Sequence, residues 1–147
     1  MKAVVQRVSK ARVTVREEPV GEIGPGLCVL LGVARRDAAA EAQRLAGRVA
    51  RLRIFEHDEG RFDRSLLDVG GEALVVSQFT LLADTARGRG TRPDFSQAAP
   101  REQAEPLYET FCSALRDLGV LVKTGAFGER MAVELVNDGP VTIVLEI

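Results

Sequence analysis

A single α+β domain, with a mainly antiparallel or mixed, barrel-like sheet and two helices packed on it, is the fold class this sequence predicts. Three observations predict it. Apolar periodicity runs along the chain in the order strands, helix, strands, helix, strands. The 147 residues, 46% hydrophobic and 28% charged, are enough to bury a core without disulfides or metals. No repeat, low-complexity run or linker divides them, so one domain spans 1–147.

The elements follow in chain order. From Lys2 to Arg16, Val4, Val8, Val13 and Val15 stand among polar residues, and a change of parity near Lys10-Ala11 predicts a bulge or a bend. Arg7 has the opposite parity to Val4 and Val8 and projects from the other face. Read alone, it is a solvated surface arginine as readily as a functional one. Glu17-Glu18-Pro19 turns the chain, Val20 to Ile23 is a short strand, and Gly24-Pro25-Gly26 turns it again into the apolar run Leu27 to Leu31. These glycines are no nucleotide cradle, because the phosphate-loop spacings are absent and a strand follows where a helix is required.

Asp37 is placed to cap a helix from Ala38 to about Leu52, with Ala42, Leu45, Ala46, Val49 and Leu52 on its apolar stripe. Its opposite face, Glu41, Arg44, Arg48 and Arg51, reads as solvated rather than as an RNA surface. Ile54-Phe55 is extended and Glu56-His57-Asp58-Glu59-Gly60 turns. His57 is the only histidine, so a metal centre or a histidine-based triad would have to be built around one turn residue. Asp58, Glu59 and Asp63 lack the spacing of a calcium-binding hand. No metal and no cofactor is expected.

Ala73 to Leu82 is read as the central strand, apolar in its first half and then interrupted by Ser77, Gln78 and Thr80 around Phe79. Polar groups at a strand end are either satisfied by nearby main chain or offered to a ligand. Asp84 to Phe95 has no periodicity and carries Arg87, Arg89 and Arg92, a basic loop that is either simply solvated or meets phosphates. Pro100-Arg101-Glu102 opens the second helix, with Ala104, Leu107, Tyr108, Phe111, Leu115 and Leu118 on one face and Gly119 as its stop. Three strands end the chain: Val120–Thr124, Arg130–Val136 and Val141–Ile147, the last two joined by an Asn137-Asp138-Gly139-Pro140 turn.

Composition narrows the function. A formal net charge of −1 lacks the basic footprint of a protein that grips long nucleic acid, which argues against DNA and makes any RNA contact local. Cys28 and Cys112 lie in apolar patterns and read as reduced core residues. No signal-like or membrane-length apolar run is present. The expected compartment is the cytoplasm.

Ser77-Gln78-Phe79-Thr80 and Gly139-Pro140 together resemble the D-aminoacyl-tRNA deacylase family. The resemblance continues through Gln6-Arg7-Val8, Arg92-Pro93, Phe95, Leu107-Tyr108, Phe111, Lys123-Thr124-Gly125, Phe127-Gly128 and Met131, nearly the whole chain and in the family's order. It implies a homodimeric hydrolase of the ester in D-aminoacyl-tRNA, with an active site shared across the two subunits. Catalysis is implied at Ser77, Gln78, Phe79 and Thr80, with Phe79 and Thr80 acting largely through main chain and the terminal ribose hydroxyl assisting. The resemblance also implies that Gly139-Pro140 is cis and bars L-substrates in the partner's site, that Arg7 holds this element, and that Met131 lines the pocket. Arg87, Arg89 and Arg92 are candidates for tRNA contact.

The residues themselves fit such chemistry. An aminoacyl ester is already activated, so a positioned water and oriented N–H donors for the oxyanion suffice. Ser77 has no nucleophile elbow around it and no evident base. A backbone wall that judges where the side chain points would pass glycine, which has no handedness. Two other readings compete: a non-catalytic tRNA-binding module built on the three arginines, and a structural dimerisation domain.

Overall fold

The computed structural model describes residues 1–58, 60–87 and 90–147. β1 (Lys2–Val15) is the spine of the sheet. β8 (Ala132–Glu146) runs antiparallel along one edge of it. The other edge is taken first by β3 (Gly26–Gly32) and then by β2 (Glu18–Ile23), both antiparallel. Beyond β3 lie β6 (Glu72–Ser77) and β7 (Leu121–Thr124), in parallel pairs, so the sheet is mixed. β2 also contacts β6 and β7, which nearly closes the sheet into a barrel.

Closure creates two apolar compartments. One lies between the sheet and the long helices α1 (Ala39–Arg51) and α3 (Arg101–Asp117) and holds Val5, Leu27, Val29, Leu45, Val49, Val75, Phe111 and Leu115. The other gathers Val8, Val13, Ile23, Cys28, Leu74 and Val76, with Met131 and Val133 against them. Ala42, Leu45, Ala46 and Val49 are buried as their spacing predicts. Tyr108 donates its hydroxyl to the Val75 carbonyl at 2.7 Å, tying α3 to β6. Both cysteines are free and buried, and burial pushes each thiol up to about 11, which keeps them protonated and unreactive at neutral pH.

Four expectations are corrected. Asp37 does not cap α1, whose N-cap is Ala38. Its carboxylate instead accepts from the Met1 ammonium and the Ala34 amide. The region between the hairpin β4 (Phe55–Glu56) and β5 (Phe62–Arg64) and strand β6 contains a short helix, α2 (Leu66–Val69), capped by Ser65 and Asp68. The central strand ends at Ser77, and Phe79–Leu82 is a 3₁₀ turn. The irregularity expected near Lys10-Ala11 is present, the register of β1 against β8 shifting between Val8 and Lys10 as well as between Gln6 and Val8.

The fourth correction concerns the C-terminus. Asn137–Pro140 does not reverse the chain between two strands, because the residues on both sides of it belong to β8 and pair with the same β1. Val8 faces Asn137 and Gln6 faces Thr142, so residues 138–141 stand opposite the single Arg7. They form an outward bulge within one continuous strand. Among the described residues no helix is long and apolar enough to cross a membrane.

Candidate active site

The parallel register of β3 and β6 brings their C-terminal ends together, and the candidate site lies there. Leu31 is opposite Ser77, and the Gln78 amide donates to the Leu31 carbonyl at 2.8 Å. That bond steers the chain off the sheet and into the 3₁₀ turn. A turn of this kind leaves its first N–H groups without partners. Among the described residues neither the Phe79 nor the Thr80 amide has an acceptor, whereas the Leu81 amide bonds the Gln78 carbonyl. Phe79 and Thr80 are exposed, so two adjacent donors stand free at the strand end.

Beside them is a cleft of about 560 Å³. Val33, Val76, Ala104, Phe127, Met131 and Val133 give it apolar walls, and Ser77, Gln78 and Phe79 form its polar side. Among the described residues its charged lining side chains are Arg101 and Glu129. The volume suits a small ligand or the end of a large one. Phe79 also packs edge-on against Phe95 with ring centroids 5.3 Å apart, which fastens the far end of the basic loop to the turn.

The residues expected at a site thus fall into three groups. Ser77, Gln78, Phe79 and Met131 line one cleft. Thr80 sits just outside it, with its hydroxyl accepting from the Gln78 side-chain amide, and among the described residues no base bonds to it. Gly139, Pro140 and Arg7 lie elsewhere in the chain, at the bulge of β8. There the Gly139–Pro140 bond is cis, and Gly139 has φ +128°, a conformation open mainly to glycine.

Arg7 is buried rather than solvated, its side chain only 7% exposed. It donates from Nη1 to the Ile54 carbonyl at 2.8 Å and from Nε to the Asp138 carbonyl at 3.0 Å. Glu56 lies 3.5 Å from the guanidinium and the Asp138 carboxylate 3.6 Å. Arg7 continues the inward alternation of Ala3 and Val5, and the parity change comes after it, which is why spacing referred to Val8 set it on the wrong face.

Arg87 and Arg92 are exposed and outside the cleft, and Arg87 lies 3.5 Å from Asp84. The base of their loop is stitched by mutual backbone bonds of Asp84 and Asp94. Arg89, and Glu59 of the acidic turn, lie outside the described residues. His57 is exposed beside Asp58 and does not line the cleft. Among the described residues no group of His, Cys, Asp and Glu converges as a metal site does. Sequence reasoning gave no role to Val33, Arg101, Glu129 or Val133. Each occupies a position ordinary for its element, so only their convergence marks them.

Comparison with known proteins gives consistent matches. The family model described as D-Tyr-tRNA(Tyr) deacylase matches residues 4–146. A D-aminoacyl-tRNA deacylase of Roseiflexus sp. (strain RS-1) is 64% identical over 99% of this chain and 93% of its own. One from Deinococcus radiodurans is 54% identical over the full length of both. A solved chain named c-Myc DNA Unwinding Element Binding Protein superposes with a TM-score of 0.92 at 45% identity, covering 100% of this chain and 99% of that one. A second, described as "Structural Analysis of a probable eukaryotic D-amino acid tRNA deacylase", gives 0.85 at 19% identity, with 99% and 98% covered, and so shares the fold.

Proposed function

This chain belongs to the D-Tyr-tRNA(Tyr) deacylase family, a family of enzymes, and from that premise we propose that it hydrolyses the ester of D-aminoacyl-tRNA while sparing L-aminoacyl-tRNA. The observation that carries the proposal is the pair of unpartnered Phe79 and Thr80 amides at the lip of a cleft that also holds Ser77, Gln78 and Met131. Two oriented N–H groups at one point are what a tetrahedral oxyanion requires, and a positioned water then completes hydrolysis of an ester that is already reactive. The terminal ribose hydroxyl supplies the proton relay, since among the described residues no side-chain base stands by. Under this scheme the Thr80 hydroxyl is held by Gln78 rather than used as a nucleophile. Thr80→Ala should therefore keep deacylation within a few-fold of the native rate, by about the effect of one lost neutral hydrogen bond. Loss of activity in a folded Thr80→Ala protein would place the chemistry on the side chain.

Handedness needs a rigid wall against one side of the α-carbon. Gly139-Pro140 is suited to it, because glycine lets backbone come close and proline fixes φ. The dipeptide is outside the cleft of its own chain and bulges outward, so the wall is supplied to the site by a second copy in a homodimer. This arrangement rejects an L side chain and leaves glycyl-tRNA unexcluded. A cytoplasmic location fits two buried thiols and a tRNA substrate.

The paired assay is decisive. D-tyrosyl-tRNA should lose its amino acid while L-tyrosyl-tRNA persists at equal protein concentration. Equal loss of both would remove handedness from the scheme, and salt-sensitive tRNA binding with no cleavage would favour the non-catalytic binding module.

A further inference from the structure

We infer that Arg101 is a substrate-positioning residue, gripping the phosphodiester on the 5′ side of the terminal nucleoside at the mouth of the cleft. This deepens the deacylase reading and depends on it. A substrate whose aminoacyl-nucleoside end fills the cleft meets the protein with its first negative charge where the strand leaves. Among the described residues the charged groups lining that space are one cation, Arg101, and one anion, Glu129. Arg101 is the group there that attracts a polyanion, and its pairing with Glu105 lowers but does not cancel that attraction at an exposed site.

Arg101 is also held ready. Its Nε donates to Glu105 Oε2 at 3.0 Å, one helical turn on. Its guanidinium carbon lies 5.7 Å from the Phe127 ring centroid. It covers Gly128 so closely that a Cβ there would come within 3.1 Å of Nη1. With Nε engaged, Nη1 and Nη2 have no acceptor among the described residues and form a fork suited to two phosphate oxygens. The side chain remains 63% exposed, so an incoming strand reaches it without rearrangement.

The test compares D-tyrosyl-tRNA with 3′-D-tyrosyl-adenosine, which has the same ester and no phosphate. In Arg101→Gln, kcat/KM for the tRNA should fall by about tenfold more than for the nucleoside, mostly through KM, as expected for one lost charge-assisted contact. The dependence of log KM on log salt should also flatten by about 0.7 for a single-stranded phosphate contact. Arg101→Lys should keep the salt dependence and recover part of the affinity. Equal losses on both substrates, or an unchanged salt dependence, would overturn the assignment. Native protein that spares D-tyrosyl-tRNA altogether would overturn the deacylase reading, and this inference with it.

Discussion

Gly32→Ala is expected to slow deacylation of D-tyrosyl-tRNA by between about tenfold and a hundredfold in a protein that still folds, as displacement of a positioning element by under 1 Å does elsewhere. Gly32 ends β3 where the 3₁₀ turn folds back over it. A Cβ at this position would stand 2.5 Å from Leu82 Cδ2, 3.0 Å from the Gln78 carbonyl oxygen and 3.1 Å from Leu81 Cβ. The Leu82 methyl can rotate away, but the Gln78 carbonyl is backbone and must shift with its neighbours. Those neighbours are Phe79 and Thr80, whose amides are aimed by the Gln78–Leu31 bond. Overpacking of this kind typically costs about 1 to 3 kcal/mol, which a domain of this size survives. Single-turnover rates with thermal melts separate the two effects. A native rate in Gly32→Ala would mean that the turn's placement does not govern the chemistry.

The same residue shows what the sequence could and could not convey. Helix stripes were legible because 3.6-residue spacing is a local property: Ala42, Leu45, Ala46 and Val49 declare their face without reference to any other element. Whether Gly32 must be glycine depends on a turn fifty residues later, and no local signal carries that. Asn137-Asp138-Gly139-Pro140 has every mark of a chain reversal, and the turn chemistry is real. What turn residues do not specify is whether the flanking strands pair with each other or with a third, and here both pair with β1.

Within the candidate site, Ser77-Gln78-Phe79-Thr80 stood out as a polar break, but its backbone conformation did not. A strand and a 3₁₀ turn share the same short polar run, and only the Leu31 carbonyl decides between them. Arg101 looked like any first-turn helix residue because its distinction is what it faces. Asp37 had the residue type and position of a cap and was taken instead by the Met1 ammonium and the Ala34 amide. Moving the carboxylate to the cap would leave the buried ammonium without its counter-charge, which costs more than an unmade cap at an exposed helix start.

Arg7→Ala is expected to lower stability by about 2 to 3 kcal/mol, through an unsatisfied buried carbonyl and lost packing of the arginine stem. The melting temperature should drop by about 5 to 10 °C for a chain of this length. The guanidinium donates to the Ile54 carbonyl from across the fold, and it pins the Asp138 carbonyl at the same time. It also lies over Gly139, where an added Cβ would come 3.2 Å from Nη2. A single side chain therefore joins the segment after α1 to the bulge that carries Gly139-Pro140. If that dipeptide is the wall against L-substrates, loosening its anchor should damage discrimination more than rate. Measured well below the melting temperature, Arg7→Ala should raise the ratio of L- to D-tyrosyl-tRNA hydrolysis, with the D-rate changed less. Arg7→Lys should fall between, because one ammonium cannot span both carbonyls with the arginine's fixed fork. A lowered melting temperature with an unaltered L-to-D ratio would make Arg7 a brace for the core alone, and the wall would then have to be sought in a segment that Arg7 does not touch.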